Sequence, residues 1–178
     1  LSNFQEKSVR WLYGDEVWDW KPGLCREFKA RHHNRYNRKV YMVSQASIAG
    51  ELTEDGSAMG GDEFWQDWIL TDQAEFSWKC DCGEAQPFTF DSIKFDKVLN
   101  DEGGLDRDAT ARTCEMECRG CGKRHADEVQ TRRRMASSNM DNGGMGYIST
   151  TEAREGLRGF HICCTAVWWI PWAEAVLE

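Results

Sequence analysis

Two apolar runs, V-R-W-L-Y-G at residues 9–14 and K-V-Y-M-V at residues 39–43, carry most of the information about the fold. Each run is short and rich in apolar and aromatic residues, and polar or turn residues bound it, which predicts a buried β-strand. The first run is followed by Asp15 and Glu16, and the second run is followed by Ser44. Two predicted strands therefore end in polar side chains.

The segment between the two strands predicts how they pair. Pro22-Gly23 breaks the chain, and residues 24–37 are predicted to be helical with a loose amphipathic pattern. A strand–helix–strand order favours a parallel α/β sheet with a right-handed crossover. Functional groups in such sheets lie at the carboxyl ends of the strands, which is where Asp15, Glu16 and Ser44 stand.

An acidic pair at one strand end and a small polar residue at the next are typical of a site that hydrolyses a nucleoside triphosphate. In such a site the aspartate holds Mg²⁺ through water, and the glutamate orients and deprotonates the attacking water. The phosphate-binding loop G-x-x-x-x-G-K-[ST] does not occur in these 178 residues. The simpler interpretation is that Asp15 and Glu16 form an acidic loop and that Ser44 is an ordinary strand-end hydroxyl.

Composition and charge restrict the class of protein. The chain has 178 residues, a hydrophobic fraction of 40% and a net charge of −8, which fit a folded domain and argue against a uniformly basic nucleic-acid binder. No apolar run has the length of a membrane span, and no signal-peptide pattern opens the chain. Because the chain starts with Leu1 and a predicted strand follows closely, we expect a fragment of a longer protein.

Charge is unevenly distributed along the chain. Residues 51–76 contain eight acids and no Lys or Arg. Two basic clusters consist of Arg26, Lys29, Arg31, Arg35, Arg38 and Lys39, and of Arg119, Lys123, Arg124, Arg132, Arg133 and Arg134. A solvated helix face is the simpler interpretation of each cluster, and contact with DNA phosphates is the alternative.

The sequence changes in character near Asp72. Before that point, a glycine-containing loop is predicted at residues 49–61, followed by a helix that Asp62 caps. The apolar stripe of this helix is expected to pack in the core, and it consists of Phe64, Trp65, Trp68 and Ile69. After Asp72, short aromatic strands are predicted near residues 76–79, 88–95 and 113–117.

Four of the eight cysteines lie in two close pairs, C-D-C-G at residues 80–83 and C-R-G-C-G at residues 118–122. Without a secretory signal, this pattern favours metal binding over disulfides and indicates a reducing cytoplasm. Two thiolates on a tight turn supply two corners of a tetrahedral zinc site, and the following glycine can turn its N–H toward sulfur. We therefore predict a zinc-ribbon-like module whose metal ligands are Cys80, Cys82, Cys118 and Cys121.

The ligand set has alternatives. Cys114 and His125 lie close enough in sequence to replace one ligand, and a ribbon that has lost its metal would keep reduced thiols. A closed shell of four cysteines leaves no coordination position open, which predicts a structural role. The other three cysteines, Cys25, Cys163 and Cys164, are predicted to be buried core residues.

The order of these features resembles the ATPase domain of tailed-phage terminase large subunits, the lambda GpA-like type. The order consists of the Asp-Glu strand, the Ser-x-Ala strand, the two cysteine turns, R-G-F-H at residues 158–161 and I-P-W at residues 170–172. The resemblance extends over nearly the whole chain from Val9 onward. It implies a motor ATPase that pumps double-stranded DNA into procapsids and, through a Mg²⁺-dependent nuclease domain, cuts concatemers.

The resemblance also implies roles for individual residues. Asp15 matches the Mg²⁺-coordinating aspartate of the Walker B strand, and Glu16 matches the catalytic glutamate. The segment Ser44-Gln45-Ala46 stands at the coupling motif, where the family senses the γ-phosphate. The implied cofactors are ATP and Mg²⁺, with Asp15 and Gln45 as cofactor-binding residues and with Glu16, Asp15 and Ser44 as the catalytic set.

The expected fold class is α/β, a partial P-loop-type parallel sheet with an appended zinc-ribbon-like β module. Residues 1–72 are expected to be the C-terminal part of the ATPase core, residues 73–135 the cysteine-rich module, and residues 136–178 a return to the core and the start of a linker toward a nuclease domain. The phosphate loop is expected upstream of Leu1 and the nuclease carboxylates downstream of Glu178. The isolated chain is therefore expected to hydrolyse no ATP.

The resemblance implies double-stranded DNA, the terminase small subunit, the portal and procapsid, and further copies in a ring as partners, all in the host bacterial cytoplasm and without a membrane. One alternative is a stand-alone zinc-ribbon module that binds DNA or protein through its basic residues and has no enzymatic activity. A second alternative, a nuclease-type site made from Asp15, Glu16 and the acids of residues 51–76, is weaker because no Lys or His lies in range. A phosphate-binding loop upstream would favour the motor.

Overall fold

The structure is a computed structural model that describes residues 10–31, 37–45, 61–140 and 146–177. The chain divides into two compact units, Leu1–Leu70 and Thr71–Glu178. Both contain helices and strands, so the fold is mixed α/β with several sheets. The assignment of these units to an ATPase core and a zinc-ribbon module stays a prediction.

The first unit is built on a pair of parallel strands. Strand β1 (Trp11–Gly14) pairs in parallel with strand β2 (Lys39–Met42). Helix α1 (Leu24–Ala30) lies between them in sequence, and helix α2 (Gly61–Trp68) follows. The parallel pairing agrees with the predicted strand–helix–strand order, whereas a larger P-loop-type sheet stays a prediction.

Within the described residues, only one face of this two-stranded sheet is buried. Leu12 is 8% exposed, whereas Trp11 and Tyr13 on the other face are 55% and 67% exposed. Tyr41 of β2 is also exposed, and its ring stacks on the Tyr13 ring with 5.0 Å between centroids. The sequence predicted buried strands, which is correct for one face only, because the apolar run does not show which face has a partner.

The aromatic residues that follow β1 hold the two helices of this unit. Phe28 of α1 contacts Trp20 edge to face with 5.1 Å between ring centroids. Phe64 of α2 contacts Trp18 in the same way at 6.4 Å. Such edge-to-face pairs bury apolar area and fix the relative ring orientation, so the segment after β1 is part of the packing of the unit.

Helix α2 is less buried than its apolar stripe predicted. Trp65 and Ile69 are 48% and 42% exposed, so half of the predicted stripe lies at the surface of the described residues. An ion pair connects the two helices, with 2.6 Å between Lys29 Nζ and Asp67 Oδ2. Helix α1 ends at Ala30, and residues 32–36 of the longer predicted helix lie outside the described residues.

The second unit contains the remaining elements. Its strands are β3 (Ala74–Lys79), β4 (Ala85–Pro87), β5 (Ile93–Lys94), β6 (Glu115–Glu117), β7 (Arg124–Ala126), β8 (Tyr147–Ile148) and β9 (Phe160–His161). Its helices are α3 (Arg107–Ala111), α4 (Val129–Ser137) and α5 (Trp172–Leu177). Short 3₁₀ turns lie at Phe90–Ser92 and Cys164–Ala166.

Two sheets form in this unit. Strand β3 pairs antiparallel with β4 and with β8, and in parallel with β9. Strands β5, β6 and β7 form a separate antiparallel sheet in that order. Because β8 and β9 pair with β3, residues 146–177 belong to the same compact unit as the cysteine turns.

The core of the second unit lies beneath these two sheets. Trp78, Met116 and Trp172 are fully buried, and each comes from a different element. The remaining buried members of this cluster are Cys80, Phe88, Ile93, Cys118, Met135 and Ala166. Large apolar side chains of this kind contribute about 1.5–3 kcal/mol each when they are fully buried.

A buried ion pair anchors the C-terminal part of the chain. The Arg132 guanidinium pairs with Asp127, and both side chains are less than a tenth exposed. Arg132 Nε also donates to Trp168 O at 2.9 Å, and Asp127 Oδ2 accepts from the Ala173 N–H at 3.0 Å. Arg132 is therefore a structural cation, and its assignment to a solvated or DNA-contacting basic cluster is wrong.

A second buried carboxylate, Asp72, holds the start of β3. It accepts hydrogen bonds from the Gly159 N–H at 2.9 Å, from Ser149 Oγ at 3.0 Å and from Arg158 Nε at 2.6 Å. Burial alone would raise the pKa of Asp72, but these hydrogen bonds and the Arg158 charge lower it below its usual value. The carboxylate is thus fixed in its ionised form.

Replacing Asp72 with Asn is expected to destabilise the second unit by about 2 kcal/mol, because hydrogen bonds to a charged acceptor are lost. Urea denaturation at neutral pH measures the change. Asp101→Asn, in an exposed turn, is the matched control and should leave the midpoint unchanged.

The stability difference between the wild type and Asp72→Asn is expected to depend on pH. The folded-state pKa of Asp72 lies below the unfolded value of about 3.9, so its stabilisation is fully present above that pH and is lost as pH falls through the folded pKa. The stability difference between wild type and Asp72→Asn should therefore shrink in acid. A difference that stays constant with falling pH would contradict this role.

Candidate functional site

The segments that follow β1 and β2 leave the sheet side by side. Gly14, the last residue of β1, lies opposite Met42, and the Val43 N–H donates to Gly14 O at 2.9 Å. The structure therefore places Asp15, Glu16 and Ser44 at the same edge of the parallel pair, the edge where such sheets carry functional groups.

Ser44 connects the two strand ends. Its half-buried Oγ accepts a hydrogen bond from the Trp18 N–H at 3.0 Å and donates to Gln45 O at 3.1 Å. The Val17 N–H donates to Val43 O at 3.2 Å beside it. A movement of the backbone that follows the acidic pair would therefore change the hydrogen bond to Ser44 Oγ.

The acidic pair points its carboxylates toward solvent. Asp15 and Glu16 are both exposed, and the Glu16 N–H donates to Asp15 Oδ1 at 3.0 Å. The backbone carbonyl of Asp15 accepts from Trp20 Nε1 at 3.1 Å, which fixes the turn. Gln45 is exposed at the neighbouring strand end, and Ala46 of the predicted coupling motif lies outside the described residues.

Glu16 has a left-handed backbone conformation, with φ 47° and ψ 43°. This region is unfavourable for a residue with a side chain, at a cost of about 1–2 kcal/mol. Strain of this kind concentrates at functional sites, where surrounding contacts hold it. Here the ring of Trp20 packs against Gly14 so closely that a Cβ on Gly14 would lie 2.8 Å from a ring carbon.

Sequence reasoning missed the part that two tryptophans play in this site. Trp18 supplies the N–H that binds Ser44, and Trp20 binds the turn of the acidic pair. The alternating V-W-D-W run at residues 17–20 was the available signal, since aromatic residues directly after a strand end indicate packing around it.

The donor atoms at this edge are of the type that a hard cation prefers. Two exposed carboxylates and a hydroxyl are oxygen ligands, which Mg²⁺ prefers. Asp15, Glu16 and Ser44 therefore offer oxygen atoms of the kind that Mg²⁺ prefers.

The four paired cysteines form a second cluster. The four Sγ atoms all lie within 4.8 Å of one another, and they belong to Cys80, Cys82, Cys118 and Cys121. The Sγ–Sγ distance is 3.8 Å for Cys80 and Cys121 and also 3.8 Å for Cys82 and Cys118. Cys80 and Cys118 are buried, whereas Cys82 and Cys121 are exposed. The predicted set is brought together, and these four cysteines can bind a metal ion.

Both cysteine turns have the same backbone design. The Gly83 N–H donates to Cys80 O at 2.9 Å, and the Gly122 N–H donates to Cys118 O at 2.8 Å. Both glycines have positive φ, 94° and 70°, which a residue with a side chain rarely adopts. The sequence predicted that the glycine N–H would face sulfur, but in the structure it binds the carbonyl of the first cysteine.

The buried sulfurs have very different acidities. Burial raises the pKa of Cys80 to about 12. Burial would also raise the pKa of the Cys118 thiol, but hydrogen bonds from the backbone N–H groups of Cys121 and Gly120 lower it to about 7. Cys118 is therefore the thiol of this pair that ionises more readily.

Of the two alternative ligands, Cys114 lies apart from the four sulfurs, whereas His125 lies beside one of them. Cys114 is buried with its Sγ 3.9 Å from Thr110 O. His125 Nε2 lies 3.8 Å from Cys80 Sγ but does not belong to the group of four. Cys25 is buried as predicted, whereas Cys164 is exposed. The prediction was wrong for Cys164, which is the exposed first residue of a 3₁₀ turn whose other two residues, Thr165 and Ala166, are buried in its place. Cys163 is only partly buried.

Acidic residues neutralise much of the basic cluster near these turns. Lys123 Nζ lies 2.5 Å from Asp81 Oδ2, and Arg119 Nε lies 3.3 Å from Glu84 Oε1. Each ion pair joins one cysteine turn to the other. The Arg124 side chain likewise pairs with acids of β6, so these cations serve contacts within the unit.

Among the described residues, the helices are too short or too polar to cross a bilayer.

Fold and site together define a mixed α/β protein with oxygen ligands at parallel strand ends and a possible four-cysteine metal cluster. Residues 1–143 match the family described as phage terminase large subunit gpA, ATPase domain, and the chain belongs to this family. No curated protein and no solved structure gave a match.

Membership of this family confirms the resemblance found in the sequence. It supports a terminase large subunit role and indicates ATP binding and hydrolysis, Mg²⁺ as a cofactor, and DNA and packaging components as partners in general.

Replacing Glu16 with Gly is expected to stabilise the first unit by up to about 1 kcal/mol, since the steric cost that glycine avoids exceeds the extra backbone entropy that glycine loses on folding. Chemical denaturation followed by tryptophan fluorescence measures the change. Glu16→Ala is the control because it removes the carboxylate but keeps the Cβ. If both variants shift stability equally, the backbone of Glu16 stores no strain.

Proposed function

We propose that this chain provides the ATP-hydrolysing strand ends of a phage DNA-packaging motor, with Glu16, Asp15 and Ser44 as the catalytic set. One observation carries the proposal. An exposed acidic pair lies beside a hydroxyl at the carboxyl end of two parallel strands, and a hydrogen bond from Trp18 to Ser44 joins the two ends. The family match, which rests on sequence alone, points to the same activity.

Asp15 is the residue that would hold Mg²⁺, and Gln45 at the next strand end would contact the nucleotide. The Asp15 turn is fixed by the Trp20 indole and by the Glu16 N–H, so its carboxylate is held in place before a ligand arrives. Bound Mg²⁺ neutralises negative charge that develops on the phosphates.

Glu16 is the proposed general base. Its exposed carboxylate accepts a proton from a water molecule, the water oxygen bonds to the γ-phosphorus, and the bond to the ADP oxygen breaks. The left-handed backbone at Glu16 sets the direction of this carboxylate relative to Asp15. Strain held by neighbouring contacts is consistent with a position selected for geometry rather than for stability.

Ser44 is proposed to report the state of the phosphate to the rest of the motor. Its Oγ is bound to the Trp18 N–H, two residues after Glu16. Loss of a phosphate contact near Glu16 would therefore disturb the hydrogen bond that holds Ser44 and Gln45. This is the physical basis for placing the coupling step at residues 44–46.

The intact protein is proposed to package double-stranded DNA into procapsids in the host bacterial cytoplasm. It would act with the terminase small subunit and the portal, as a ring of copies, and a nuclease domain would cut concatemeric DNA. The Walker B assignment of β1 and the partial P-loop-type sheet belong to the same proposal. We also propose that the 178 residues alone turn over no ATP, since they contain no phosphate-binding loop motif.

In a terminase large subunit that contains this chain, Glu16→Gln and Asp15→Asn should each lower kcat for ATP hydrolysis by about 10²-fold or more, since each removes a group that acts in the transition state. Steady-state phosphate release measures the rate. Asp19→Asn, an exposed acid four positions beyond Asp15, is the matched control and should keep the wild-type rate.

The proposal fails if Glu16→Gln and Asp19→Asn have equal rates. The isolated 178-residue chain should show no phosphate release above its own Glu16→Gln variant, and turnover above that background would overturn the proposed inactivity of the chain.

The alternative of a stand-alone zinc-ribbon module that binds DNA or protein has less support. Arg132 is buried, and Lys123 and Arg119 are paired with acids between the cysteine turns. The nuclease-type alternative depends in part on the acids Glu51, Glu54 and Asp55, which lie outside the described residues.

A further inference from the structure

We propose that Cys80, Cys82, Cys118 and Cys121 bind one Zn²⁺ as a closed structural site that joins the two sheets of the second unit, with His125 as a hydrogen-bond donor outside the coordination shell. The proposal is independent of ATP hydrolysis, since it rests on a different unit and on different residues.

The spacing of the sulfurs fits this metal. With a Zn–S bond of about 2.3 Å, neighbouring corners of a tetrahedron lie about 3.8 Å apart. The sulfurs of Cys80 and Cys121 are 3.8 Å apart, and so are those of Cys82 and Cys118. Each of these pairs takes one sulfur from each turn, so one central ion would bridge the two turns.

The backbone holds the ligands before a metal arrives. The Cys80 N–H donates to Glu84 O at 2.8 Å, and the Cys118 N–H donates to Lys123 O at 2.9 Å. Each turn is thus closed by a hydrogen bond that begins at its first cysteine, and a glycine with positive φ follows its second cysteine. Two independent segments of different spacing, C-x-C and C-x-x-C, converge on the same local design.

Ion pairs between the two turns also support a shared site. Lys123 pairs with Asp81 across the turns, and Arg119 pairs with Glu84 in the same way. These cations hold the two turns together and lie within the loops that carry the ligands. They therefore keep the four sulfurs close to one another independently of a metal.

The position of the site assigns it a structural role. The first turn connects β3 to β4, and the second connects β6 to β7, which lie in separate sheets. Trp78 and Met116, one from each sheet, are fully buried in the shared core. A metal here would fasten the two sheets at the turns, and four cysteine ligands leave no open position for a substrate.

His125 lies beside this shell rather than within it. Its Nε2 is 3.8 Å from Cys80 Sγ, and its ring packs edge to face on Trp78 with 5.4 Å between centroids. A ring N–H directed at the Cys80 sulfur would stabilise the thiolate and orient it. His125 is therefore a positioning residue, which predicts four sulfur ligands rather than three sulfurs and one nitrogen.

The first test measures metal in the wild-type chain purified under reducing conditions. Elemental analysis should find about one zinc per chain. After exchange to Co²⁺, the d–d absorption and the sulfur-to-cobalt charge-transfer band should be those of a tetrahedral site with four sulfurs. Metal-free protein with free thiols, disulfides between the turns, or iron in place of zinc would each overturn the proposal.

Variants separate the ligands from the other residues. Cys118→Ser and Cys121→Ser should each bind zinc at least tenfold more weakly in competition with a chelator. Loss of an outer-shell partner alone already lowers metal affinity by about 10–100-fold. Cys164→Ser, exposed and outside the group of four, and Cys114→Ser, buried and outside it, are the controls and should keep zinc.

The His125→Gln variant tests whether His125 is a metal ligand. It should keep the four-sulfur Co²⁺ spectrum of the wild type while releasing metal to the chelator faster. A change of this spectrum toward weaker charge transfer would show that His125 is a ligand and would overturn the four-cysteine assignment. The metal content of the wild-type protein tests the proposal by itself. The proposal can therefore still be refuted if a variant fails to fold.

Discussion

The pairing of strand β3 is the constraint on which the second unit depends. Three other strands hydrogen-bond to it, and one of its residues, Trp78, is fully buried in the core. Its two ends are fixed by different chemistry. Asp72, ahead of the strand, is held by an ionised hydrogen-bond network, whereas Cys80, just after it, enters the sulfur cluster. One strand thus sets the geometry of both features.

The first unit depends on a different device, the hydrogen bond between its strand ends. Parallel strands bring their carboxyl ends to one edge, but pairing alone leaves the following segments free to diverge. The bond from the Trp18 N–H to Ser44 Oγ, together with the bond from the Val17 N–H to Val43 O, keeps them together. The site at this edge consequently depends on the backbone that follows β1 as much as on the acidic side chains.

Local patterns predicted the features that local chemistry determines. Both strands of the first unit and both cysteine turns are encoded in contiguous residues, so the sequence was sufficient to place them. Features that depend on residues far away in the sequence could not be predicted from local patterns. Arg132 is buried because Asp127, Trp168 and the C-terminal helix surround it, and nothing in the basic run at residues 132–134 distinguishes it from its neighbours. The left-handed conformation of Glu16 was not predictable either, since nothing in the residues Asp15-Glu16 calls for a positive φ.

The two candidate sites differ in the kind of cation that they can use, and this difference follows from their ligands. Carboxylate and hydroxyl oxygens at an exposed strand end suit Mg²⁺, which keeps part of its water shell and arrives with a nucleotide. Four thiolates on two closed turns suit a soft, four-coordinate ion that stays bound. The first arrangement permits exchange in every catalytic cycle, whereas the second opposes it. An ATP-hydrolysing protein needs a labile cation at its reaction centre and gains nothing from exchange at a structural one. The separation of hard and soft ligands into two units therefore matches a division between chemistry and scaffold within one chain.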